Sequence, residues 1–213
     1  MAYRAFLQLK ARYLPSPKKF SSRGRKQVSL MLERYLIEHC SPTLASIKTA
    51  NLFTFSCQSD EEAEQYVNEW NHRFQDKGVS IAILRNRNQK ALLYVYREDK
   101  LNADLNKEGV PEFLRAYGYR EFNAQYGIRQ LKKKFAESES FPHEIGLFLG
   151  YPLADVTGFI ENAGKNSKCS GCWKVYCNEC ETMKLFSQFK KCKDVYTRLF
   201  RQGKRSVLQL TVA

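Results

Sequence analysis

Four cysteines stand close together late in the chain, between residues 169 and 180. Cys169 and Cys172 form one C-x-x-C pair, Cys177 and Cys180 form a second, and Trp-Lys-Val-Tyr separates the two pairs. The turn within such a pair points both sulfurs the same way, and four thiolates satisfy the tetrahedral coordination of zinc. These residues therefore predict a metal site for zinc or iron, or alternatively a group of redox-active thiols.

The short spacer between the pairs makes the metal site conditional on the local fold. Zinc ribbons usually separate their pairs by more than about ten residues. A β-strand through residues 173–176 would hold Cys172 and Cys177 about 16 Å apart, at roughly 3.3 Å per residue, which is too far to share one ion. A tight loop would instead let the four sulfurs converge, with Cys192 as a candidate fifth thiol. The position of Cys192 on an apolar helix face favours a packing role for it.

Histidines beside a cysteine and a carboxylate form a second candidate site. His39 and Cys40 are adjacent and Lys48 follows them, while His143 precedes Glu144. A cysteine activated by a histidine that a carboxylate orients is a catalytic nucleophile, so these five residues are the candidates for an enzyme site. Neighbouring side chains on a helix diverge by about 100°, so such a site requires the fold to bring His143 to Cys40. The common phosphate-binding and hydrolase motifs are absent from the sequence.

A helix-turn-helix pattern occupies residues 144–160, where two short apolar helices are joined at Gly150. In a DNA-binding protein the second helix would enter the major groove, yet it carries Asp155 and Glu161 and no cation before Lys165. Two helices packed on a sheet explain the same pattern, and the charge favours this interpretation. A nucleic-acid-associated module remains the alternative function.

The net charge of +13 is concentrated at the start of the chain. Residues 1–26 contain eight Lys and Arg and no acid, and subtracting them leaves +5 for the remainder. Because Pro15, Pro17 and Gly24 disfavour regular structure, we predict a flexible basic leader before one globular domain over residues 27–213. Such a leader could contact nucleic acid or an anionic surface weakly, but we favour a solvated tail.

Composition limits the class of protein. The chain has 213 residues, of which 43% are hydrophobic, enough for one well-buried core. No stretch approaches the roughly 20 apolar residues of a membrane helix, so we expect no transmembrane segment. Seven cysteines, four of them within twelve residues, are too few and too uneven for a secreted disulfide scaffold. We therefore expect a cytoplasmic protein with reduced thiols.

The elements that must position these residues follow from hydrophobic periodicity. A first helix is predicted from Gln27 to His39-Cys40, where Ser41-Pro42 interrupts the pattern, and Ser59 with Glu62 forms a capping box for the next. Five runs are typical of strands, namely residues 51–56, 79–84, 91–96, 173–176 and 207–212, and the second and third predict a hairpin. With about seven helices, this indicates an α+β fold in which helices cover a central mixed β-sheet of about five strands.

Four segments of the sequence, taken in order, carry a family resemblance. They are residues 39–48 (HCSPTLASIK), 141–152 (FPHEIGLFLGYP), 158–162 (GFIEN) and 172–176 (CWKVY). Together they resemble an uncharacterised bacterial family catalogued as domain of unknown function 3793, over nearly everything after the leader. The resemblance implies a bacterial cytosolic protein and brings no established activity, cofactor or catalytic residue. Gly-Tyr-Pro and Trp-Lys-Val-Tyr are typical of that family and the double C-x-x-C is not, so a four-cysteine metal site would be peculiar to this member.

Overall fold

The computed structural model describes residues 22–138 and 140–213, with side chains from residue 31 onward. The predicted leader therefore lies largely outside the described residues. The helices are α1 (Ser22–Leu44), α2 (Asp60–Arg73), α3 (Glu98–Leu105), α4 (Val110–Ala116), α5 (Ala124–Glu137), α6 (Ile145–Phe148), α7 (Leu153–Glu161), α8 (Glu179–Arg201) and α9 (Val207–Leu210), with a 3₁₀ turn at Gln75–Lys77. The strands are β1 (Ala50–Ser56), β2 (Ser80–Arg87), β3 (Lys90–Tyr96), β4 (Cys169–Ser170) and β5 (Lys174–Val175).

The main sheet has three antiparallel strands in the order β1-β3-β2. The hairpin predicted from the sequence is confirmed, because β2 pairs directly with β3. Asn88 and Gln89 close it with φ angles of 52° and 58°. Two successive residues in the left-handed region match the right-handed twist of the flanking strands. β1 completes the sheet by pairing with the other edge of β3.

Both faces of this sheet are buried, and each face carries its own core. Alternate residues of the central strand β3 point to opposite sides: Leu93 packs with α1 and α2, whereas Tyr94 packs with α3 to α7. A strand covered on both faces is apolar at almost every position, which explains the run Ala-Leu-Leu-Tyr-Val. The sheet therefore separates two sets of side chains that cannot reach each other.

Helix α8 contributes to both cores. Phe186 and Phe189, in its first half, pack with the core that contains Tyr94. Tyr196 and Leu199, in its second half, pack against the core that contains α1. This long helix therefore connects the thiol-rich segment at its beginning to the α1 side of the molecule at its end.

The prediction of one central mixed sheet of about five strands is wrong. The structure has a three-stranded antiparallel sheet and, apart from it, the two-stranded hairpin β4-β5. Residues 207–212, predicted as a strand, form α9 and its C-terminal cap instead. The cause is local, because the Ser206 side chain accepts a hydrogen bond from the Gln209 amide while the Gln209 side chain bonds back to the Ser206 amide. Mixed α and β structure, the coarser part of the prediction, is confirmed.

The first helix continues beyond its predicted end. α1 extends to Leu44 and includes Pro42 in its last turn. The last carbonyls of a helix have no donor within the helix, and here Arg97 donates to those of Thr43 and Leu44. Of the capping box predicted for α2, the hydrogen bond from the Glu62 amide to the Ser59 side chain is confirmed. The Glu62 carboxylate accepts from the Gln58 amide at 2.6 Å instead of from the Ser59 amide.

No helix among the residues described is both long enough and apolar enough to cross a membrane.

Candidate thiol site

The spacer between the two C-x-x-C pairs folds as the second strand of a tight hairpin. Cys169 pairs with Val175, and the Gly171 amide donates to the Trp173 carbonyl at 3.0 Å, so Cys172 lies in the turn. Cys177 follows β5, and Cys180 lies in the first turn of α8. The predicted strand over residues 173–176 is thus confirmed only at Lys174–Val175.

Glycines let this hairpin approach the neighbouring helices closely. A Cβ added at Gly158 of α7 would lie 2.6 Å from Cγ of Tyr176, and one at Gly146 of α6 would lie 2.8 Å from the Trp173 ring. Neither distance is sterically allowed for a side-chain carbon, so both positions require glycine. Trp173 stacks on Tyr151 with ring centroids 4.7 Å apart, and the Tyr151 hydroxyl donates to the Cys172 carbonyl at 3.0 Å. The hairpin is therefore held against α6 and α7.

A buried carboxylate lies directly beside one of the four thiols. Asp155 of α7 has 1% of its surface exposed. It accepts hydrogen bonds from the Tyr176 amide at 2.7 Å, the Cys177 amide at 3.0 Å and the Cys177 Sγ at 3.3 Å. The two backbone amides satisfy hydrogen-bonding capacity of this buried carboxylate, and the sulfur is its third donor.

The surroundings keep two of the thiols protonated. Burial and then the hydrogen bond and charge of Asp155 raise the pKa of Cys177. Burial raises the pKa of Cys169, and the nearby carboxylates of Glu179 and Asp155 raise it further. The negative charges of these acids disfavour thiolates at both positions. Cys180, by contrast, is exposed to solvent.

The fold does not gather the four sulfurs into one coordination group. Within residues 31–138 and 140–213, no three His, Cys, Asp or Glu side chains are placed to hold a metal ion together. Cys177 has Asp155 as its partner and Cys169 has Glu179, so the thiols are distributed between separate carboxylates. A zinc or iron site on Cys169, Cys172, Cys177 and Cys180 remains a prediction without support from this geometry.

A groove gives solvent access to this site. It has a volume of about 710 Å³ and is lined by residues of α7, among them Thr157, and by Tyr176 and Cys177 at the end of the hairpin. Cavities of roughly 300–1,000 Å³ are typical of small-molecule sites. A small molecule in this groove would therefore lie beside Cys177.

The residues of the predicted cysteine–histidine enzyme site do not come together. Cys40 is fully buried among the side chains of the α1 core, and His39 stacks on Phe53 with ring centroids 5.4 Å apart. His143 lies against Phe159, which belongs to the core on the opposite face of the sheet. Cys40 and His143 therefore cannot act on one substrate atom.

The two charged candidates of that site have structural partners. Glu144 is buried and forms an ion pair with Lys134, and it also accepts from the Tyr119 hydroxyl at 3.3 Å. The Lys48 ammonium donates to the carbonyls of Ala50 and Leu149 and lies 4.7 Å from the centroid of the Tyr151 ring. Both side chains join segments distant in sequence, which is a packing role.

The predicted helix pair forms but does not present a recognition helix. Its first helix, α6, is buried along its whole length, and α7 turns Asp155 toward the hairpin. Sequence reasoning missed Asp155 as the partner of Cys177. The available signal was a single acid among the apolar residues of Leu-Ala-Asp-Val-Thr-Gly-Phe-Ile, which predicts a buried carboxylate in need of donors.

Replacing the carboxylate by its amide should lower the pKa of Cys177. In Asp155→Asn the side-chain oxygen can still accept from both amides, while the negative charge that disfavours the thiolate is lost. We expect Cys177 to react with iodoacetamide at a lower pH than in the parent protein, measured by pulsed alkylation and peptide mapping.

Glu161→Gln is the matched control, because it removes an acid from the same helix and groove that does not bond to the sulfur. An unchanged pH profile for Cys177 in Asp155→Asn would show that the carboxylate does not control this thiol.

Comparison with known proteins identifies a family and no characterised relative. A family model described as "Protein of unknown function (DUF3793)" matches residues 36–211. The resemblance drawn from four sequence segments is confirmed by this match. No curated protein and no solved structure matches the chain.

Proposed function

The chain belongs to DUF3793, a family of unknown function, and within it we propose that Cys177 and Cys180 form a dithiol–disulfide redox pair with Asp155 as the proton acceptor. One observation carries the proposal. The Cys177 Sγ lies 3.3 Å from a buried carboxylate and three residues before an exposed cysteine in the first turn of a long helix. Dithiol proteins use this combination of a buried and an exposed thiol.

The reaction is an exchange with an external disulfide. The exposed Cys180 attacks one sulfur of that disulfide, which releases one thiol and leaves a mixed disulfide on Cys180. Cys177 transfers its proton to Asp155 and attacks the Cys180 sulfur, which closes the Cys177–Cys180 disulfide and expels the second external sulfur as a thiolate. Asp155 passes its proton to that thiolate, so the second thiol is released and Asp155 returns to the carboxylate form. The external disulfide is reduced to two thiols, and the pair is oxidised by two electrons.

The raised pKa of Cys177 suits the second step. A thiolate of higher pKa is the stronger nucleophile once its proton has been removed, and a buried base at hydrogen-bond distance can accept that proton. At rest the same carboxylate keeps Cys177 protonated and unreactive. The exposed Cys180 is therefore the first thiol to react.

Oxidised glutathione is the probe for this proposal, with peptide mapping by mass spectrometry as the measurement. We expect the parent protein to form the Cys177–Cys180 disulfide, Cys177→Ser to retain glutathione on Cys180, and Cys180→Ser to form neither product. Asp155→Asn should slow closure of the disulfide by roughly 100-fold at neutral pH, because Cys177 still carries its proton there despite its lower pKa and the variant lacks the base that removes it. Cys192→Ser is the control, since burial raises the pKa of Cys192 to about 11 and removes it from exchange at neutral pH.

Two results would contradict the redox pair. One is glutathione spread over all accessible cysteines, including Cys169 and Cys172, with no preferred disulfide. The other is about one equivalent of zinc or iron in protein purified without chelator, with Cys177 and Cys180 protected from alkylation until the metal is removed. That second result would instead establish the metal site predicted from the sequence.

A further inference from the structure

The net positive charge of this protein comes from two segments. Residues 184–205 contain eight Lys and Arg and one acid, a net charge of +7. Subtracting this and the +8 of residues 1–26 from the total of +13 leaves −2 for residues 27–183 and 206–213. The second segment is the larger part of α8 and the turn that follows it, and the redox proposal makes no use of it.

Five of the six cations of α8 share one face of the helix. At 100° per residue, Lys184, Lys190, Lys191, Arg198 and Arg201 lie within an arc of about 120° over a length of about 25 Å, and Lys193 lies outside that arc. We define the basic stripe as these five residues together with Lys204 and Arg205 from the following turn. Phe189 and Tyr196 lie on the opposite side of the helix and pack into the protein. All members of the stripe are exposed to solvent.

Most of this charge is not neutralised by neighbouring acids. Three stripe members are paired, Lys184 with Glu181, Lys190 with Asp194 and Arg201 with Glu38. The other four, Lys191, Arg198, Lys204 and Arg205, have no ion pair among the residues that the structure describes. Like charges held along a rigid helix repel one another, and a polyanion relieves that repulsion. The stripe therefore has the charge, the length and the rigidity to follow a phosphate backbone.

We propose that the basic stripe of α8 is a nucleic-acid-binding surface that contacts phosphates without reading bases. Lys and Arg that neutralise several phosphates give this sequence-independent affinity through counterion release. A nucleic acid fits better than a lipid surface, because amphipathic membrane helices insert a continuous apolar face. Phe186, Phe189 and Tyr196 of α8 are packed into the protein, and its exposed apolar residues, Met183, Leu185 and Val195, are scattered around the helix and form no such face. This proposal is independent of the cysteine pair.

The test measures binding of the full chain by fluorescence anisotropy. The labelled probes are a single-stranded RNA of about 20 nucleotides and a DNA duplex of about 20 base pairs. We expect affinity to fall steeply between about 50 and 200 mM salt. The triple variant Lys191→Gln, Arg198→Gln, Lys204→Gln should bind about tenfold more weakly. The slope of its salt dependence should be smaller by roughly 2 on the single strand and roughly 3 on the duplex, because three phosphate contacts are lost.

The matched control carries Lys90→Gln, Lys132→Gln and Lys165→Gln, three exposed lysines on other elements, and loses the same charge. We expect the control to bind almost as well as the parent. Equal losses in the two variants would show that net charge alone governs binding and would overturn the proposal, as would no binding by the parent. Stronger binding to phosphatidylserine-containing vesicles than to either nucleic acid would also overturn it, in favour of a lipid surface.

Discussion

Arg97→Met should destabilise the protein by about 3–5 kcal/mol, because it leaves several buried carbonyls without a donor. Arg97 has 6% of its surface exposed, and its guanidinium donates to the carbonyls of Thr43 at 2.7 Å, Leu44 at 2.8 Å, Val212 at 2.7 Å and Lys77 at 3.1 Å. These carbonyls come from the end of α1, the 3₁₀ turn and the last residues of the chain. One side chain therefore joins three segments far apart in sequence.

Urea unfolding followed by circular dichroism measures this effect. Arg97→Lys should lose less stability than Arg97→Met, since lysine keeps the positive charge. It should still be less stable than the parent protein, because a single nitrogen cannot reach all four carbonyls. Arg120→Met is the control, because Arg120 is exposed, and it should change stability by no more than about 0.5 kcal/mol. A loss below about 1 kcal/mol in Arg97→Met would show that water replaces the guanidinium at no great cost.

Trp173→Ala should cost about 3–5 kcal/mol of stability and should also expose the thiol site. Trp173 has 2% of its surface exposed, stacks on Tyr151 and lies 5.5 Å from Phe159 between ring centroids. Its indole fills the space between the hairpin and α6. Without it the hairpin loses its main apolar contact, so Cys177 should leave Asp155 and become easier to alkylate under native conditions.

Trp70→Ala is the matched control for this prediction. Trp70 is equally buried, but it belongs to the core on the other face of the sheet. We expect a comparable loss of stability in urea and no change in the alkylation rate of Cys177 in the native state. The same increase in alkylation for both variants would indicate global unfolding and contradict a specific role for Trp173 in holding the hairpin.

The parts of the fold that depend on local chemistry could be read from the sequence. The β2-β3 hairpin was predictable because two β-branched and aromatic runs enclose a short polar turn, and α2 because Ser59 caps its first turn. Helix α9 was not predictable, because a run of Val and Leu fits a strand or a buried helix equally well. The decisive signal was the capping box of Ser206, which precedes the apolar run, and Gln209, the polar residue within it.

The candidate site was predictable only in part. The four cysteines identify the segment, since their type and spacing are visible in the chain. Their partners are not visible, because Asp155 reaches Cys177 only after α7 packs on the hairpin. The spacing was also compatible with either a strand or a tight loop between the two pairs. The structure forms a hairpin, in which Cys169 pairs with Val175.

The sequence by itself determined the thiol-rich segment, the basic character, the mixture of helices and strands and the family. The tertiary structure alone decided which of these residues can act together. The sheet places Cys40 and His143 on opposite sides, whereas close approach at Gly146 and Gly158 brings Asp155 to Cys177. The physical reason is that side-chain chemistry and short-range hydrogen bonds are encoded locally, while contacts between distant segments depend on how the apolar faces of all the elements pack at once.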